Sequence, residues 1–248
     1  MSRDGARVLV VSCAWAGRAA PEELLGPRER ARAAELTGPR RAEWVRTRLT
    51  AKAAVLWATG GHGAQIPPGP DGAPRLLGAP RGTALSLTHT GELAACAVSR
   101  GGPADRVGVD VEPVDARNDV LLARLLAPGE RPDAATGPLP HTGPPGLLAT
   151  VLVACKEAAL KACRRPSPAL RDYELRAGAD GRLRVLVRIR GRRQEAAASG
   201  VPDALEVWWS CRRGRVTAVC GTGRRPPEHR DVPADRVLAA LGPRRGGQ

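Results

Sequence analysis

Apolar positions along this chain recur with two different periods, and the places where the period changes mark its elements. The run VLVVSCAWA (8–16) is almost continuously apolar and bounded by turns, which predicts a buried first strand. PEELLGPRERARAAEL (21–36) predicts a helix opened by Pro21, with Glu22 and Glu23 suited to a positive helix N-terminus. A second helix is predicted after Gly38-Pro39, over RRAEWVRTRLTAKAAVLWA to Gly60-Gly61. Steps of three or four set Arg41, Trp44, Arg48 and Lys52 along one side of it. A Gly/Pro-rich loop (62–82) follows. The alternating segments TALSLTH, LAACAVS and VGVDVE then read as an antiparallel meander turned at Thr90-Gly91-Glu92.

LLARLLAPGE predicts a short helix, and the prolines and glycines of 127–146 predict a connector. GLLATVLVACKEAALKACRR is a strong helix pattern closed by Pro166. Strands are expected at LRVLVRIR, ALEVWWS and GRVTAVC, and a short helix at ADRVLAAL. Strand–helix–strand order occurs twice, so the expected class is α+β. It would have two similar α/β halves related by a pseudo-twofold, each an antiparallel sheet packed with helices. The halves are 1–115, with the basic helix and the carboxylate strand, and 116–225, with the KEAxxK helix; 226–248 is a Pro/Arg-rich tail.

Composition sharpens the chemistry. Only three of the 39 basic residues are lysine, at 52, 156 and 161. Phe is absent, and aromatics make up 2% of the chain, too few for the stacking surfaces typical of single-stranded nucleic-acid binding. A net charge of +14 predicts attraction to polyanions without choosing among nucleic acid, anionic membrane, a phosphorylated small molecule and an acidic protein. The six cysteines form no C-x-x-C pair and lie in apolar runs, as buried free thiols in a reducing cytoplasm would. The N-terminus has faint signal-peptide character, but its apolar run is short and flanked by Asp4 and Arg18, which favours the strand reading. No segment approaches the ~20 apolar residues of a membrane span.

VGVDVE alternates, so Asp110 and Glu112 share one face about 7 Å apart. Solvated charges on a half-exposed strand would account for them equally well, as would a hard-cation site completed by phosphate oxygens and water. Glu157 and Lys161 stand at i and i+4, which alone is an ordinary surface pair. A lysine kept in so arginine-rich a chain points instead to a compact charge for phosphate oxygens. His89 ends its strand between Thr88 and Thr90, placed for a structural hydrogen bond or for a phosphate.

Three ordered motifs, Ser86-Leu87-Thr88-His89-Thr90-Gly91, Gly108 to Glu112 and Lys156 to Lys161, resemble those of the 4′-phosphopantetheinyl transferases, in particular the larger monomeric class of the surfactin-synthetase-activating type. Gly72-Ala73-Pro74 is similar to the family's G-K-P turn, and the region around Arg41, Arg48 and Lys52 to its first helical region. The likeness spans residues 8–165 and continues more weakly to 221. Val153 stands where the family has Trp, Ala73 where it has Lys, and Cys163-Arg164 replaces its glycine.

The resemblance implies transfer of the phosphopantetheine arm of coenzyme A to a serine of an acidic apo acyl or peptidyl carrier protein, in a cytoplasmic monomer that binds neither nucleic acid nor membrane. It implies Asp110, Glu112 and Glu157 as ligands of Mg²⁺, with Mn²⁺ as the alternative ion. Lys156 and Lys161 would lie along the pyrophosphate, and Arg41, Arg48, Lys52, Thr88 and His89 around the 3′-phosphate. Gly72 and Pro74 would contact the adenine, and Glu157 would take the serine proton. The rival readings are a metal-dependent nuclease and a basic nucleic-acid-binding protein. The first needs a lysine following the second acid on its strand, where Pro113-Val114 stands; the second leaves the paired carboxylates unexplained.

Overall fold

The computed structural model describes residues 7–101, 106–128, 130, 139, 142–164, 169–178, 180, 182–187, 204–223 and 225–242. The chain divides into two compact units, one of Arg106–Pro226 and one of Ala6–Asp105 with Pro227–Gln248. The first is called the inserted unit below and the second the discontinuous unit.

The discontinuous unit is built on a four-stranded sheet of order β2-β3-β1-β9. Strands β1 (Arg7–Ala14), β2 (Thr83–Thr90) and β3 (Leu93–Arg100) pair antiparallel, β3 lying between the other two. The edge strand β9 (Glu228–Pro233) runs parallel to β1, from Leu9↔Glu228 to Ala14↔Pro233. The sheet is therefore mixed, where an antiparallel one was expected. The segment read as a tail supplies both this strand and helix α5 (Ala234–Leu241).

The helix expected at 21–36 is interrupted. Residues Glu22–Leu24 make one 3-10 turn, and α1 (Pro27–Ala34) starts afresh with Pro27 in its first turn and Glu29 Oε2 accepting the Gly26 N–H at 2.7 Å. Helix α2 (Gly38–Thr59) ends on Gly60 at φ 73°, a left-handed cap that suits glycine. Ala51, Ala53 and Ala54 are wholly buried, and such small side chains let α2 lie close on β1 and β3. Leu9, Val11, Val55, Leu85 and Val98 fill one core cluster, and Trp15, Val45, Leu49 and Val237 another.

The inserted unit is a five-stranded antiparallel sheet of order β4-β8-β7-β6-β5. Its strands are β4 (Val107–Pro113), β5 (Tyr173–Ala177), β6 (Leu183–Val187), β7 (Ala204–Arg212) and β8 (Arg215–Gly221). Helix α3 (Leu122–Leu125) is a single turn, and α4 (Leu147–Cys163) covers the sheet. β4 does not extend the meander of β2 and β3; it pairs with β8, Asp110 opposite Ala218. The break at 100–106 is thus a passage between units, and the carboxylate strand shares its unit with the KEAxxK helix. Residues 188–190 of the expected strand LRVLVRIR, Pro166 and most of the 127–146 connector lie outside the described residues.

Both units follow one plan, in which a first strand and a long helix lead to a hairpin whose second strand pairs antiparallel with the first strand: β1, α2, β2–β3 in one and β4, α4, β7–β8 in the other. Among the described residues no helix is long and apolar enough to cross a membrane. Cys13, Cys96, Cys155, Cys163 and Cys220 are buried free thiols, as expected, while Cys211 on β7 is exposed.

Candidate functional site

In the inserted unit the strand period fixes which side chains meet α4. Gly108, Asp110 and Glu112 alternate onto the face they share with Cys220, Ala218 and Val216, the face packed on α4. Gly108 permits the approach: a Cβ there would lie 1.8 Å from the Ala158 carbonyl oxygen and 2.7 Å from the Ala162 nitrogen. Glu157 and Lys161, one turn apart on α4, are thereby brought to the two strand carboxylates. Lys161 Nζ donates to Asp110 Oδ1 at 2.7 Å and to the Val109 carbonyl at 3.2 Å.

The electrostatics follow from this crowding. Burial first, then the Asp110 and Glu157 charges, push the Glu112 carboxyl up to about 7, against the opposing pull of Lys161. Burial and Asp110 likewise raise Glu157. Three carboxyl groups crowded onto one strand–helix face, all offering oxygen, are a donor set that suits a hard divalent cation. Among the described residues no three His, Cys, Asp or Glu side chains already stand in metal-holding geometry. The ammonium of Lys161 holds the place nearest Asp110 instead.

Lys156 does not join this cluster. It is fully buried, and its Nζ donates to Glu130 Oε2 at 2.6 Å and to the Leu125 carbonyl at 2.5 Å. Glu130 Oε1 in turn accepts from the Leu175 N–H at 3.1 Å, so the pair ties α4 to the end of α3 and to β5. The expected place along the pyrophosphate is not where this side chain points.

In the discontinuous unit a cavity of about 550 Å³ is lined by Arg32, Arg40 and Arg48 together with Glu43, Trp44, Gly72, Pro74, Leu87 and His89. Arg48 is 7% exposed, its guanidinium 4.7 Å from the Trp44 ring centroid. Its Nε has no hydrogen-bond partner among the described residues, and burial lowers it to about 10. A buried cation that faces a cavity without a carboxylate bound to it is placed to receive an anion. His89 Nδ1 lies 2.7 Å from Glu43 Oε1. Gly72, at φ 77°, shapes the turn that carries Pro74 to the wall, with the Ala73 N–H donating to Asp71 Oδ1.

Three expected members stand elsewhere. Arg41 makes a two-point pair with Glu22 at 2.7 and 2.8 Å, and its neighbour Arg40 takes the cavity position, since one residue turns a helix by 100°. Lys52 binds Glu29 at 3.1 Å and the Ala64 carbonyl at 2.7 Å, bracing α1 and the loop beyond α2. Thr88 is buried within β2, between two residues that line the wall. Arg32 was not foreseen; its only sequence signal is its place in an arginine-rich first helix.

Residues 28–99, which contain every residue lining this cavity, match the model of the 4′-phosphopantetheinyl transferase N-terminal domain. A second likeness is to 4′-phosphopantetheinyl transferase Svp of Streptomyces mobaraensis, 35% identical over 111 residues that make up 45% of this chain and 44% of the relative. Both likenesses are to 4′-phosphopantetheinyl transferases, the family that the motifs of this chain resemble. The aligned part is less than half the length of that curated relative. Among solved structures, holo-ACP-synthase from Plasmodium yoelii aligns with 47% of this chain and 91% of its own at 19% identity and a TM-score of 0.35. The carboxylate face of β4 and α4 lies outside the segment that matches the family model.

Proposed function

We propose that the chain transfers the 4′-phosphopantetheine arm of coenzyme A to a serine hydroxyl of an apo acyl or peptidyl carrier protein, releasing adenosine 3′,5′-bisphosphate. The observation that carries the reading is the gathering of Asp110, Glu112, Glu157 and Lys161 on one strand–helix face. The serine oxygen bonds to the phosphorus next to the pantetheine, the bond from that phosphorus to the bridging pyrophosphate oxygen breaks, and the serine proton passes to Glu157. The burial that raises Glu157 suits it to this task, because a base whose pKa lies closer to neutrality takes a proton more readily.

Asp110, Glu112 and Glu157 are the residues that would hold Mg²⁺, or Mn²⁺. When bound, that ion supplies positive charge that offsets the repulsion between the pyrophosphate and an incoming oxygen nucleophile. Lys161 offers a point charge to the phosphate oxygens as the phosphoanhydride bond breaks. The arginine-lined cavity is suited to a nucleotide bearing an extra phosphate: Arg48 with Arg32, Arg40 and His89 for the 3′-phosphate, and Trp44, Gly72 and Pro74 for the adenine. Lys52, Arg41 and Lys156 keep supporting roles in this reading. A net charge of +14 favours encounter with an acidic carrier, and five buried free thiols suit a reducing cytoplasm.

The test is incubation with coenzyme A, Mg²⁺ and a panel of apo carrier proteins, read by mass spectrometry. The expected result is the mass gain of one phosphopantetheine arm on the carrier serine, abolished by Asp110→Ala. No gain on any carrier, or an undiminished gain with Asp110→Ala, overturns the reading.

A further inference from the structure

Lys161 stands between two kinds of partner. It lies one turn from Glu157, its Nζ is 2.7 Å from Asp110 Oδ1, and its remaining bond goes to the Val109 carbonyl. Its side chain is 29% exposed, while that of Asp110 is 5% exposed, so the ammonium closes the open side of a carboxylate that is otherwise inside the fold. Its charge serves the acids. A divalent cation approaching Asp110, Glu112 and Glu157 meets a positive charge within a few ångströms of the oxygens it needs, and like charges that close repel strongly where water is scarce.

We infer that Lys161 is the built-in counter-ion of this carboxylate cluster, which a divalent cation must displace, and that the displaced ammonium is thereby released toward the substrate phosphates. The inference rests on the proposed transferase reading for what Lys161 does next, but not for the displacement. Its physical content is an exchange of partners. In the metal-free protein one ammonium steadies carboxylates that would otherwise repel one another. With the ion bound, the same ammonium loses its electrostatic reason to stay on Asp110. Metal and lysine therefore compete for one set of oxygens, and the lysine is free to contact a phosphate only after the metal has arrived.

Two measurements in the absence of coenzyme A test this. The chain has only three lysines, and Lys52 and Lys156 are held in ion pairs with Glu29 and Glu130, so acetylation by an amine-reactive ester followed by peptide mass spectrometry resolves each site. Adding Mg²⁺ is expected to raise the modification rate at Lys161 severalfold and leave the other two unchanged. A rate at Lys161 that stays the same or falls overturns the inference.

Calorimetric titration with Mn²⁺ gives the second readout. Lys161→Met is expected to bind the metal at least about tenfold more tightly than the unsubstituted protein, because the competing charge is gone. Lys161→Arg, which keeps the charge, is expected to stay within about twofold. Unchanged or weaker binding by Lys161→Met, or equal tightening by Lys161→Arg, overturns the inference. Should Lys161→Met not fold by circular dichroism, Lys161→Gln is judged by the same criterion. Tighter metal binding with no carrier modification would leave the counter-ion standing and remove the transferase; carrier modification without tightening would do the reverse.

Discussion

A side chain at residue 108 would begin where Ala158 holds its carbonyl oxygen: the Cβ that Gly108 lacks would lie 1.8 Å from it. The oxygen belongs to backbone and a Cβ is fixed rigidly to it, so neither can swing aside. Gly108→Ala is therefore expected to push β4 from α4 and destabilise the protein by about 3 kcal/mol or more, as overpacking against a rigid neighbour does. Urea unfolding checks the magnitude. Metal binding should weaken in the same variant even at temperatures where it is folded, because Asp110 and Glu112 move away from Glu157.

Lys156 and Glu130 form an ion pair with almost no solvent around it. Replacing Lys156 by Met leaves a buried carboxylate without its cation, which costs on the order of 3–5 kcal/mol. Lys156→Met is expected to lower the thermal midpoint sharply, and adding Glu130→Gln should return part of the loss. A double-mutant cycle measured by chemical denaturation gives the coupling.

Arg48 and Arg41 separate a cavity arginine from a surface one. Arg48→Ala is expected to weaken coenzyme A binding by about tenfold to a hundredfold, the range for losing a charge-assisted contact to phosphate, and to affect dephospho-coenzyme A much less. Arg41→Ala removes only an exposed pair with Glu22 and is expected to change binding by less than about twofold. Isothermal titration with both ligands distinguishes the two sites.

Glu112 gives the metal-free protein a pH dependence of definite sign. Burial and its acidic neighbours raise it from the ordinary 4.5 to about 7, so the folded chain holds this proton more tightly than the unfolded one. The stabilisation is complete below pH 4.5 and is lost as pH rises through 7. Thermal midpoints of the metal-free protein are expected to fall over that interval, less so in Glu112→Gln. Mg²⁺ should restore stability at pH 8 and do little at pH 5, since its ligands must be ionised.

How much of this was legible in the chain depended on whether a local rule governed it. The shared face of Asp110 and Glu112 follows from strand alternation, and the Glu157–Lys161 step from helical spacing; neither needs tertiary information. Arg41 was read for Arg40 because a helix pattern gives the period but leaves the phase to packing. The burial of Lys156 was hidden because its partner Glu130 lies in a Pro/Gly-rich stretch with no pattern of its own. β9, EHRDVP, was missed for a related reason. It is an edge strand with five of its six residues exposed, so it has no apolar alternation to betray it. That β4 would pair with β8, more than a hundred residues onward, is a long-range choice that no window of sequence contains.

The parallel pairing of β9 with β1 also sets a timetable. During synthesis β1 emerges well before its edge neighbour β9, the whole of the inserted unit lying between them. Residues 106–226 can finish their own sheet while the earlier one still waits for its fourth strand. One edge of β1 therefore stays unpaired until residues 228–233 emerge, and whatever guards nascent chains against aggregation has that edge to shield.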